Sequence, residues 1–175
     1  MRAEHIDAFL SSAVKALARQ GEARPERGSP VLRTGQTHSM RELSSLVTFH
    51  GDLNGMVFYS MSLATASKLV GNAGTVDPGE EKVFNPAAFV EVTRTMSLQA
   101  IATLESRGCR CVAEDPLMVR GFGEPLSDAS PVLIVPLFTE HGDIDIGIAL
   151  QAQAPPQRAS ESDGYTSPGE IAAAT

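Results

Sequence analysis

Residues 51–71 read GDLNGMVFYSMSLATASKLVG, and the hydrophobic period changes partway along them. Gly51 to Gly55 is a hairpin turn: Gly and Asn tolerate positive φ, and the segments on either side, Leu43 to Phe49 and GMVFYS, favour extended backbone. From Ser62 the apolar residues take helical spacing, with Leu63, Ala66, Leu69 and Val70 on one face, Ser62 as N-cap and Gly71 as the stop. Two paired strands that hand over directly to a helix predict a sheet covered by helices.

The flanks extend that pattern. Upstream, Ile6, Phe9, Leu10, Val14, Leu17 and Ala18 recur at helical spacing and predict an amphipathic helix from about Ile6 to Arg19. GEARPERGSP then reads as connector, and Val31 to Thr34 as a short strand. Downstream, GNAGTVDPGEEK is a turn-rich acidic insertion, and Asn85-Pro86 opens a long helix from about Pro86 to Glu105. Past Gly108 the segments CRCVAE, PLMVRG, PVLIVPLFTE and DIDIGIAL read as strands. Pro131 and Pro136 place part of the third at a strand start, bulge or edge. His141-Gly142-Asp143 turns the last two into a hairpin, and Ile144, Ile146 and Ile148 share one face. The expected fold class is α+β, a single largely antiparallel sheet with long helices packed on it. Residues 1–150 form that domain, and the Pro-, Ser-, Gly- and Ala-rich residues 151–175 a flexible low-complexity tail.

Composition narrows the function. A chain of 175 residues can bury a sizeable core without staples. Fourteen basic residues against 21 acidic give a net charge of -7 with no Lys/Arg stripe, which argues against nucleic acid as a partner. No apolar run reaches the roughly 18 residues of a membrane span, and MRAEHIDAFLSSAVKALARQ lacks the apolar core of a signal peptide. No membrane insertion and a cytoplasmic location are the expectation. Cys109 and Cys111, one residue apart, have neither disulfide geometry nor enough ligands for zinc. His5, His38, His50 and His141 are widely spaced, so no metal site is expected. Ser60, Ser62 and Ser67 lack the G-x-S-x-G context of a nucleophile and suit turns or caps. GFGEP lacks the helix and third glycine of a dinucleotide site.

The long helix carries the remaining chemistry. In FVEVTRTMSLQAIATL, residues 89–104, Phe89, Val92, Met96, Ala100 and Leu104 gather on one side at about 100° per residue, flanked by Val90 and Ile101. Glu91, Thr95, Leu98 and Ala102 gather on the other, with Arg94 at the edge one turn from Glu91. As a surface feature, Glu91 and Arg94 are a solvent-exposed i,i+3 pair worth a few tenths of a kcal/mol. As a functional one, the face is a docking surface where Glu91 meets a partner cation and Ala102 permits close approach.

Five segments in this order resemble the CheX-like branch of the CheC/CheX/FliY chemotaxis phosphatase family: IDAFLSSAVKAL, residues 51–71, the helix beginning near NPAAFVEV, PLMVRG, and VPLFTEHGDIDIGIAL. The resemblance covers roughly Ala3 to Leu150. It implies a cytoplasmic signal-transduction protein of a two-component system, which binds or dephosphorylates receiver domains of response regulators. In that family one turn of helix carries E-x-x-N: the glutamate engages a receiver lysine, and the asparagine holds the attacking water in line with phosphorus. Such catalysis rests on positioning and charge compensation. Glu91 matches the glutamate, and Arg94 stands where the asparagine would be. Arginine has donors but no acceptor, so it cannot orient a water as the carboxamide does. Thr95 is shorter, and Gln99 lies about 80° around the helix from Glu91.

The resemblance therefore implies partner binding through Glu91, Arg94, Thr95, Leu98 and Ala102, with Glu91 as the one retained catalytic residue of a partial motif. Three functions stay open. The chain is a catalytically impaired CheX-like module that binds a receiver domain or related signalling protein, an active phosphatase acting on receiver aspartyl phosphate by altered chemistry, or a structural or small-molecule-binding module on the same fold. No intrinsic cofactor is expected; magnesium would belong to a phosphorylated receiver partner. A homodimer through the sheet region is a further implication, since strand edges must be covered or paired.

Overall fold

The computed structural model describes residues 2–19, 25–34, 40–71, 84–121 and 131–152. The elements in chain order are α1 (Ala3–Arg19), β1 (Glu26–Arg27), β2 (Val31–Arg33), β3 (Leu43–Gly51), β4 (Leu53–Met61), α2 (Leu63–Gly71), α3 (Pro86–Ser106), β5 (Cys111–Ala113), β6 (Leu117–Arg120), β7 (Val132–Thr139) and β8 (Gly142–Ala152). The fold is α+β: one eight-stranded sheet, antiparallel at every pairing, with three helices among the described residues. Helix α1 starts three residues before the expected Ile6, and α3 ends at Ser106, one residue past the expected Glu105. The acidic insertion, the loop after Gly121, His38 and the tail beyond Ala152 lie outside the described residues.

The strand order is β1-β7-β8-β4-β3-β5, with β2 also on β7 and β6 also on β3. Residues 51–71 form the strand, turn and helix expected of them. Strands β3 and β4 pair from Leu43↔Met61 to Phe49↔Gly55, and Gly51 takes a positive φ of 141° where its backbone passes against Arg110. Ser62 caps α2 by accepting the Thr65 amide at 3.0 Å. One expectation is corrected: the connector GEARPERGSP contributes β1, because Glu26 and Arg27 pair with Phe138 and Leu137 at the β7 edge. Pro136 sits on β7 between the stretches paired with β1 and β2, where no strand needs an amide from it. Its carbonyl accepts the Gly28 amide at 2.8 Å.

Alternation decides which face is covered. Leu43, Val47 and Phe49 on β3, Val57, Tyr59 and Met61 on β4, and Ile144, Ile146 and Ile148 on β8 are buried beneath the helices. Phe9 of α1 stacks on Phe49, with ring centroids 5.1 Å apart. On the opposite face Phe58, Val132 and Ala149 form a smaller buried cluster. Among the described residues no helix is long and apolar enough to cross a membrane.

Candidate docking site on helix α3

Helix α3 is started by Asn85, whose Oδ1 accepts the Ala88 amide at 3.2 Å, with Pro86 in the first turn. Its buried side comprises Phe89, Val92, Thr93, Met96, Ser97, Ala100, Ile101 and Leu104. Two hydroxyls in that stripe fix the helix to the sheet. Thr93 donates to the Phe89 and Val90 carbonyls at 3.1 and 3.0 Å, which leaves its oxygen to accept from Ser45 of β3 at 2.8 Å. Ser97 pairs with the Tyr59 hydroxyl of β4 at 3.1 Å, and burial pushes the Tyr59 phenol well above its ordinary pKa. These bonds set the rotation of α3, and with it what faces outward.

Glu91, Leu98 and Ala102 are exposed, while Arg94 and Thr95 are half-buried. All five side chains of the expected docking face therefore lie on or at the edge of one outer surface. The Arg94 guanidinium reaches two carboxylates. Its Nη1 makes an ion pair with Asp115 Oδ1 at 2.8 Å, while its Nε is 3.6 Å from Glu91 Oε2, too far for a hydrogen bond. That Nε is buried and has no hydrogen-bond partner. Arg94 thus makes its closer contact with Asp115, and the Glu91 side chain stays 71% exposed.

Sequence reasoning missed Asp115. Glu114-Asp115-Pro116 is the turn between β5 and β6, both of which pair with β3. A short acidic turn between two short strands was the available signal. What places it beside Arg94 is the pairing of both strands with β3, which no local spacing announces. The resulting site has two carboxylates and one guanidinium, a net charge of -1, and it suits a cationic side chain from a partner. One turn from Glu91 stands Arg94, which has no acceptor for a water proton, and no carboxamide takes that position.

The other candidates lie apart. Cys109 and Cys111 are free thiols with sulfurs 3.8 Å apart. Burial, followed by the Cys111 hydrogen bond, pushes the Cys109 thiol up to about 11, which keeps it protonated and a poor nucleophile at neutral pH. His50 pairs with Glu114 at 3.0 Å, and His5 lies 3.9 Å from Glu4. Among the described residues no group of three or more His, Cys, Asp or Glu is arranged to hold a metal. Ser60 accepts the Arg41 amide at 2.8 Å and contacts Ser44, a structural role.

The architecture has solved counterparts. CheX from Desulfovibrio desulfuricans superposes with a TM-score of 0.70 at 23% identity, covering 85% of this chain and 99% of that one. The fold is that of the CheX-like chemotaxis proteins. A CheC-like superfamily protein from Shewanella sp. PV-4 gives 0.71 at 18% identity, covering 86% of this chain and 99% of that one. A CheX–CheY–BeF3–Mg2+ complex from Borrelia burgdorferi gives 0.65 at 22% identity, over 86% of this chain and 99% of that one. No protein-family model matches the sequence, and no curated protein does.

Proposed function

We propose that this chain is a CheX-like signalling module that binds a response-regulator receiver domain through the outer face of α3 and lacks the phosphatase chemistry usual for the fold. The observation that carries this reading is the pair Glu91 and Arg94. Glu91 is open to solvent where the resemblance puts the receiver-binding glutamate, and Arg94, ion-paired with Asp115, stands where the water-positioning asparagine would be. The Borrelia burgdorferi CheX, solved with CheY, supports a receiver as the partner class. Any magnesium in such a complex belongs to the receiver.

The test mixes the full chain with phosphorylated receiver domains from the same organism and follows complex formation and phosphate release separately. Binding without accelerated release is expected, and Glu91→Ala weakens the binding. Rapid release abolished by Glu91→Ala would instead establish a phosphatase of altered chemistry. Absence of binding to every receiver would leave a structural or small-molecule role. Arg94→Asn restores the missing carboxamide, and a gain of phosphate release is the outcome that fits an otherwise intact docking face. A homodimer belongs to the same reading: Val112 and Leu117, 73% and 63% exposed on the β5/β6 side of the sheet, are surface that a second copy would cover. Static light scattering giving a monomer mass at all concentrations would remove it.

A further inference from the structure

Helices α1 and α3 lie side by side and antiparallel, with Arg107 at the end of α3 donating to the Glu4 carbonyl near the start of α1 at 2.7 Å. Toward the other end of α1, a groove of about 280 Å³ separates them, lined by Ser12, Lys15 and Arg19 from α1 and by Gln99, Ala102 and Thr103 from α3. Lys15 and Arg19 are four residues apart and so stand one above the other on the same side of α1. Both are exposed, and neither has an ion-pair partner among the described residues. The carbonyl end of the helix gives Arg19 a local reason to be basic. It gives Lys15, a full turn earlier, much less of one. In a chain of net charge -7, two unpaired cations on one groove make a local surface opposite in sign to the net charge.

The groove can hold an anionic group as well as attract one. The Thr103 hydroxyl is turned to the Gln99 backbone carbonyl at 2.8 Å, while the Gln99 carboxamide makes no hydrogen bond among the described residues and can offer its N–H groups. Ser12, only 3% exposed, lines the groove beneath the cations, and Ala102 leaves room above the backbone. Gln99 and Ala102 continue the surface that begins at Glu91, about 12 and 16 Å further along the helix.

We propose that this groove is the second contact of the α3 docking face and takes the carboxylate side chains of an acidic segment on the receiver partner. The inference rests on the receiver-binding reading above. Charge complementarity sets the occupant: the Glu91–Asp115 end accepts a cation, and the Lys15–Arg19 end accepts carboxylates. A partner that satisfies both ends has one orientation along α3, and reversing it brings like charges together at each end.

The experiment measures affinity for BeF3- and Mg2+-loaded receiver domains from the same organism at low and high salt, for the wild type, Lys15→Glu/Arg19→Glu, Glu91→Ala and Arg33→Glu. Circular dichroism checks folding of each variant. The Lys15→Glu/Arg19→Glu variant is expected to lose about tenfold or more in affinity and most of its salt dependence, while Arg33→Glu, a charge reversal on β2, stays within about twofold. Partial recovery of the double variant by an acidic-to-lysine reversal in the receiver would identify the contacting segment. The proposal is overturned if the double variant binds like the wild type while Glu91→Ala does not, because α3 docking then stands without the groove. If the wild type itself binds no receiver, the receiver-binding reading fails and the groove proposal falls with it.

Discussion

Polar groups on the two sides of α3 are treated in opposite ways. On the sheet side Thr93 and Ser97 are 0% and 1% exposed, and each finds a hydroxyl on a different strand, Ser45 of β3 and Tyr59 of β4. On the outer side Arg94 stands between two exposed carboxylates, in ion-pair contact at 2.8 Å with one and 3.6 Å from the other, with its Nε lacking a hydrogen bond. Buried hydroxyls must be satisfied in place, because an unmade hydrogen bond inside the protein costs its full desolvation. Exposed charges compete with water and shift at little cost. The inner side therefore fixes where the outer side points, and the outer side stays free to exchange partners.

The inner side is broken most heavily by Phe89→Ala. Phe89 is fully buried in the main cluster, and its removal is expected to cost about 3–5 kcal/mol, read as a fall in the urea midpoint. Thr93→Val is a subtler cut, since volume is kept and the acceptor for Ser45 is lost. A loss of about 1–3 kcal/mol is expected, and Ser45→Ala made in the same chain should recover part of it by removing the stranded hydroxyl. If Thr93→Val is neutral on its own, the hydroxyl ladder does not set the rotation of α3.

These two residues also mark where the sequence stops speaking. The stripe Phe89, Val92, Met96, Ala100 and Leu104 was legible because its period is that of the helix and its residues are apolar. Thr93 and Ser97 belong to the same stripe but are polar by type, and their partners lie 48 and 38 residues away in the chain. Only the assembled sheet brings those hydroxyls together. β1 escaped notice for a related reason: Glu26 and Arg27 are too few to show alternation, and they are extended because the β7 edge is there to pair with. By contrast Glu91, Leu98 and Ala102 faced outward as helical spacing required, since that inference needs only the local period.

On the outer side, Arg94→Asn should change stability by less than about 1 kcal/mol, the usual scale for an exposed ion pair. Its effect belongs to chemistry rather than folding: receiver dephosphorylation should rise while the thermal midpoint hardly moves. A large loss of stability would mean that the guanidinium, with its buried Nε, is a packing element of α3, and the contrast between the two sides would narrow.

Asp115→Asn is the finest probe, with a stability change expected below about 0.5 kcal/mol. Asp115 holds Arg94 at 2.8 Å, while Glu91 lies 3.6 Å from the unpaired Nε. Weakening the stronger contact lets the guanidinium settle on Glu91, which satisfies Nε and neutralises the carboxylate offered to the partner. Receiver affinity should therefore fall by about three- to tenfold, an effect carried through a residue that need not touch the receiver. A double-mutant cycle with Arg94→Ala separates the two routes. If Asp115 acts by restraining Arg94, its substitution has little effect once the guanidinium is gone. If the same loss persists in the Arg94→Ala background, Asp115 meets the partner directly, and the outer face has two independent carboxylates rather than one exposed and one restraining.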